Sequence, residues 1–109
     1  MRDLIENIEI GLKELNNYKR SNNIASDEWS TKVTEQVLRS IRESIEKGGK
    51  VNHRLLRAMK DIYVVSFRNF DGTKLHEAID CIDSQLSTLF KNYQSLEPLG
   101  MDFGKGDPV

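Results

Sequence analysis

Apolar residues in the first stretch of the chain fall at Leu4, Ile5, Ile8, Leu12 and Leu15. Steps of three and four place all five on one side of a helix, which predicts a helix over about residues 2–19. Asp3, Glu6 and Glu9 stand near its start and Lys19 and Arg20 near its end, as the helix dipole favours. Gly11 weakens this helix by about 1 kcal/mol relative to Ala. Ser21-Asn22-Asn23 then reads as a break.

A second pattern, Trp29, Val33, Val37, Leu38, Ile41 and Ile45, predicts a helix over about 27–47. Ser26 or Asp27 is the expected cap, because a short polar side chain accepts a hydrogen bond from an orphan backbone N–H. Steps of four drift around a 3.6-residue helix, so this stripe winds, and the helix should cross its neighbours obliquely or touch two of them. Gly48-Gly49 ends it, as glycine just past a helix commonly does.

The third element, about 52–68, opens on Asn52 as cap and buries Leu55, Leu56, Met59, Ile62, Tyr63 and Phe67. Val64 and Val65 make its second half apolar nearly all round, which predicts the most enclosed helix of the fold. The β-branched run also leaves a short strand over 63–67 open. Asp71-Gly72 makes a turn. The fourth element, about 73–93, has the cleanest stripe: Leu75, Ala78, Ile79, Ile82, Leu86, Leu89, Phe90 and Tyr93.

Residues 94–109 hold both prolines and three glycines, so no regular element is expected there. Leu96, Leu99, Met101 and Phe103 nevertheless give this tail enough apolar surface to dock on the helices. The expected architecture is all-α: one single-domain bundle of about four amphipathic helices, with the irregular tail docked on it. A chain of 109 residues has room for one such core without disulfides or metals.

Composition narrows the function. Hydrophobic residues are 38% and charged residues 30%, which suits a globular domain. The net charge of −1 supplies no global attraction to nucleic acid or anionic membrane. No apolar stretch approaches a membrane span, and the start Met-Arg-Asp-Leu-Ile-Glu lacks a signal-peptide core, so the expected location is the cytoplasm. Cys81 is the only cysteine, so it has no intrachain disulfide partner and is expected to be a small, partly buried thiol.

Candidate chemistry is sparse. His53 and His76 are far apart in sequence and neither has a ligand at helical spacing, so no metal or other cofactor is expected. Glu77, Asp80 and Asp83 share one side of the fourth element, but paired carboxylates do acid–base work only in a cleft that shifts their pKa. Asp102-Phe103-Gly104 and Gly104-Lys105-Gly106 look like kinase and P-loop fragments, yet every other element of those motifs is missing. Asn52-His53-Arg54 after a Gly-Gly turn, with Arg57 and Lys60 following, has the outline of a recognition helix. Asp61 interrupts that basic stripe and the segment reads as buried. The chain is therefore expected to be a binding protein, not an enzyme.

The stretch Leu55-Leu56-Arg57-Ala58-Met59-Lys60-Asp61 precedes Val65-Ser66-Phe67-Arg68. Leu96-Glu97-Pro98-Leu99 and Met101-Asp102-Phe103-Gly104-Lys105-Gly106-Asp107-Pro108 follow later. Together these resemble small immunity proteins of bacterial contact-dependent growth inhibition and related polymorphic toxin systems. The similarity runs from about Trp29 to the end and leaves out the first helix. It implies a monomer or weak homodimer that binds the C-terminal domain of a cognate toxin, often a nuclease, and covers its active site. A basic nuclease cleft calls for acidic and aromatic contacts, for which Glu77, Asp80, Asp83, Glu97, Asp102, Phe103 and Asp107 are the candidates. In the tail, Asp102 or Asp107 has the alternative of pairing with Arg68 and pinning the tail to the fold. A small helical regulatory or adaptor module, homodimeric through surplus apolar surface such as Ile10, is the other reading, with DNA binding behind it.

Overall fold

The computed structural model of the protein describes residues 2–100. Four helices account for most of them: α1 (Arg2–Ser21), α2 (Trp29–Gly48), α3 (His53–Asn69) and α4 (Lys74–Leu89). A single 3-10 turn, Tyr93–Ser95, follows. The run over 63–67 lies within α3 and is helical, not a strand.

Short connections make sequence neighbours pack side by side, and the ring closes where α1 meets α4. The sequence α1–α2–α3–α4 is thus also the spatial order around the bundle. One core joins Leu4 and Ile8 of α1, Leu38 and Ile41 of α2, Met59 and Ile62 of α3, and Ile79 and Ile82 of α4. All eight are fully shielded from solvent. The winding stripe of α2 does touch two neighbours, α1 and α3.

Gly11 explains why the closing contact is tight. It is buried between α4 and α2, and a Cβ there would stand 3.1 Å from Ile82 Cδ1 and 3.5 Å from Leu38 Cδ1. The helix propensity lost at Gly11 is exchanged for a close approach of α1 to α4. A few residues away, Asn7 Nδ2 donates to Gln85 Oε1 at 2.6 Å across the same seam.

The start of α2 differs from the expected one. Neither Ser26 nor Asp27 caps it; Glu28 does, its carboxylate accepting from the backbone N–H of Ser30 and Thr31. The hydroxyls of Ser30 and Thr31 donate to the same carboxylate. Ser30, Thr31 and Thr34 are buried, whereas Trp29 and Val33 are only half-buried. The first turns of α2 therefore present hydroxyls inward, each satisfied locally, Thr34 by the Ser30 carbonyl at 2.7 Å. Burial opposes ionisation of Glu28, but the four donors outweigh it and hold its carboxyl below the ordinary value of 4.5. The other caps follow the expected chemistry: Asn52 accepts from Leu55 N–H, and Gly49 ends α2 at φ 72°.

Helix α4 stops at Leu89, four residues short of the expected end, and Leu89 is exposed. The reason is Tyr93. On a continued helix it would lie about 15 Å along the axis from Asp83. Folded back, its ring is fully buried and its hydroxyl donates to Asp83 Oδ1 at 2.6 Å. The chain then runs back over α3, where Asp61 receives the N–H groups of Leu99 and Gly100, both at 3.1 Å. Arg57 donates to the carbonyls of Glu97 and Pro98. Leu96 and Leu99 pack on the core, so the tail docks as far as residue 100. Its remainder, with Met101 and Phe103 and the proposed pairing of Arg68, lies outside the described residues.

Two variants check these assignments. Gly11→Leu forces extra carbons into the α1–α4 seam and should destabilise the fold by about 1–3 kcal/mol in urea unfolding. Glu28→Gln should lower the melting temperature most at neutral pH. The deficit should shrink as pH falls below 4.5, because the depressed carboxyl of the parent loses its contribution as it protonates.

Candidate functional site

Helix α3 has, as expected, the largest share of buried residues of the four helices, yet part of it still reaches the surface. Its second half is apolar nearly all round, but a bundle helix has an outer side, and Val64 (42% exposed) and Phe67 (53%) fall there. Tyr63 and Phe67, one turn apart, meet edge to face with ring centroids 5.4 Å apart. His76 on α4 completes the cluster, its ring 4.6 Å from Phe67 and 5.9 Å from Tyr63.

The cluster is held from below. Ser66, fully buried, has its Oγ 2.7 Å from His76 Nδ1. Thr73 caps α4 and accepts from His76 N–H, which fixes where the imidazole leaves the backbone. Phe70, buried at the α3–α4 turn and packed edge-on against Tyr18 of α1 at 5.0 Å, anchors the hinge between the two helices. Aromatic side chains locked this way lose little entropy when a partner covers them.

Acidic residues border the rings. Tyr63 Oη donates to Asp80 Oδ1 at 2.8 Å. This hydrogen bond, with burial and the nearby charges of Asp80 and Asp83, pushes the Tyr63 phenol up to about 12. Burial pushes the Tyr93 phenol higher still, and Asp83 adds to the effect. Lys60 Nζ lies 4.5 Å from the Tyr93 ring centroid and donates to the Gln94 carbonyl. Asp80 and Glu77 are exposed, and Asp83 is half-buried.

No family model matches the chain, and comparison with curated proteins and with solved structures likewise finds no match. The site therefore stands on its own geometry.

Of the acidic candidates, Glu77, Asp80 and Asp83 share one side of α4 beside the aromatic cluster. Glu97 does not join them. It sits by Arg57 on the other flank of α3, where its backbone carbonyl, not its carboxylate, makes the contact. Asp102, Phe103 and Asp107 lie outside the described residues. Asp83 is a structural acceptor for Tyr93 as much as a surface charge, which leaves Asp80 and Glu77 as the outward-facing acids.

Sequence reasoning missed Tyr63, Phe67 and His76 as site residues by placing the two aromatics in the core. The signal was present: a segment apolar on every side, in a bundle whose helices each have an outer side, must expose some of it. Cys81 also differs from expectation, because it is exposed. Two residues after Ile79 it is rotated about 200° around the helix, away from the core stripe.

Among the described residues no group of three or more His, Cys, Asp and Glu is placed to hold a metal ion. No helix there is long and apolar enough to cross a membrane. The chemistry the α3–α4 face offers is contact: a rigid aromatic knob beside fixed hydrogen-bond acceptors.

The Tyr63–Asp80 bond has a pH signature. A phenol whose folded pKa is raised from 10.0 to about 12 stabilises the fold below its unfolded value and loses that contribution as pH rises between the two. Tyr63→Phe should therefore lose less stability than the parent between pH 10 and 12. In Asp80→Ala the Tyr63 ring resonance should titrate nearer 10.

Proposed function

We propose that the protein is a non-catalytic immunity protein that neutralises a cognate bacterial toxin domain by covering its active site with the α3–α4 face. The observation that carries this reading is Phe67. It is more than half exposed, yet packed against His76 and against Tyr63, whose hydroxyl is bonded to Asp80. An exposed, pre-ordered aromatic ringed by polar groups has the composition of an interface hot spot. Acids beside it suit a basic partner, as the phosphate-holding cleft of a nuclease is. The resemblance of Leu55–Asp61, Val65–Arg68 and the tail to immunity proteins of polymorphic toxin systems supports the same class of partner. In this reading Phe67 enters the cleft, Asp80 and Glu77 meet its cations, and Tyr63 holds Asp80 in place. The protein works in the cytoplasm, where an incoming toxin meets its target.

Val64 and Phe67 also favour a second reading, a homodimer formed through α3, because both expose apolar surface on one helix.

The test is to express the toxin-like C-terminal domain encoded immediately upstream, with and without this protein, and to score growth and co-purification. Rescue with a one-to-one complex is expected. Phe67→Ala and Asp80→Lys should each weaken that complex by roughly tenfold or more without a matching loss of melting temperature. Ile10→Ala, on α1, should leave it unchanged. Absence of rescue, together with a dimer in solution that Phe67→Ala dissociates, would replace immunity by the adaptor reading.

A further inference from the structure

On the side of the bundle away from α3 and α4, the outer surface between α1 and α2 is concave. Lys13, Asn16 and Lys19 line it from α1, and Glu35, Arg39 and Arg42 from α2, in a groove of about 380 Å³. Leu12 and Leu15 give it an apolar floor. Four cations face one carboxylate here, in a chain whose formal net charge is −1.

The one acid is already committed. Glu35 Oε2 accepts from Arg39 Nε at 2.8 Å, a pair that steadies the guanidinium and leaves its two Nη groups without a partner. Among the described residues, Lys13, Lys19 and Arg42 form no ion pair. Lys19 and Arg42 are half-buried, so part of each stem lies along the groove walls while the charged end stays at the surface. Unneutralised cations of one sign in a concave site above an apolar floor focus a positive potential that scattered surface lysines do not.

We infer that the α1–α2 groove is a binding site for a compact chain of linked phosphate groups. The inference is independent of the α3–α4 face and of any toxin. Lys13 and Lys19 lie about 9 Å apart along α1, and Arg39 and Arg42 about 4.5 Å apart along α2. The two walls thus offer a short oligophosphate point charges from α1 and guanidinium forks from α2. Asn16 adds a neutral donor between the two lysines. A nucleic-acid strand fits less well, because no aromatic side chain lines the groove to stack a base and the cations span only one or two nucleotides.

The probe is inorganic tripolyphosphate, titrated into the isotopically labelled protein at about 150 mM salt, where diffuse attraction is screened beyond about 8 Å. Saturable shifts confined to amides of residues 12–19 and 35–42 are expected. The double variant Lys13→Gln/Arg42→Gln should bind at least about tenfold more weakly, while Lys50→Gln/Lys74→Gln, which removes the same charge elsewhere, should stay within about twofold. Unchanged melting temperatures keep either result from reflecting a folding defect. ATP binding as tightly as tripolyphosphate assigns recognition to the phosphates alone, and tighter binding identifies a nucleotide as their source. Equal weakening by both double variants, shifts spread over the whole surface, or a short DNA duplex binding the groove more than about tenfold tighter than tripolyphosphate would each overturn the assignment.

Discussion

The fold depends on α1 returning to lie against α4, the helix farthest from it in sequence. The three other seams of the ring join elements linked by short connections, whose closure costs little entropy. The α1–α4 seam must instead be held by its own contacts, and Gly11 decides how close the two helices come. A Cβ at that position would already press on Ile82, and a larger side chain would also crowd Leu38 and cost the core packing on either side. The Asn7–Gln85 bond then fixes the sliding register that apolar packing alone leaves soft.

Ring closure also assigns the outer surfaces. With spatial order equal to chain order, the α3–α4 face and the α1–α2 face lie on different sides of the bundle, and they differ in chemistry. On the α3–α4 face the exposed Val64 and Phe67 stand on α3 and the exposed Glu77 and Asp80 on α4, with Asp80 accepting from Tyr63. In the α1–α2 groove lysine and arginine surround one engaged glutamate.

Much of the fold was legible in the sequence because helix burial is periodic. The stripes of α1 and α4 have the 3.6-residue spacing that one buried side requires, and Asn52 and Gly49 mark helix ends through ordinary capping chemistry. The departures share one cause: the pattern of a single segment does not contain its neighbours. Glu28 caps α2 because Ser30 and Thr31, themselves turned inward, supply donors to a longer side chain that is rarely a cap. Tyr93 ends α4 early because its hydroxyl finds Asp83 only if the chain folds back. Phe67 was assigned to the core because an apolar residue at core spacing is usually buried, and only the position of α4 shows that the ring lies outside the seam. Asp61, which in the sequence only interrupts a basic stripe, proves to be the acceptor that holds the chain at Leu99 and Gly100.

A polar group near a surface can serve the fold, a partner or both, and its hydrogen bonds separate the cases. Among the described residues every buried side-chain nitrogen or oxygen has a partner, so none is held in reserve beneath the surface. Asp83 and Ser66 lie below the α3–α4 surface and are used internally, by Tyr93 and His76. Removing either would leave a buried group unsatisfied, at about 1–3 kcal/mol. Asp80 differs, since it is exposed and can accept from Tyr63 through one oxygen while the other still faces solvent. The side chain of Glu77, exposed one turn earlier, makes no hydrogen bond or ion pair within the described residues. The same distinction holds in the α1–α2 groove, where Glu35 is engaged and Lys13 and Arg42 are not. Across both faces the internally bonded groups set the geometry and the unengaged ones beside them keep their capacity for a partner, so charge is presented outward without an unsatisfied group being buried beneath it.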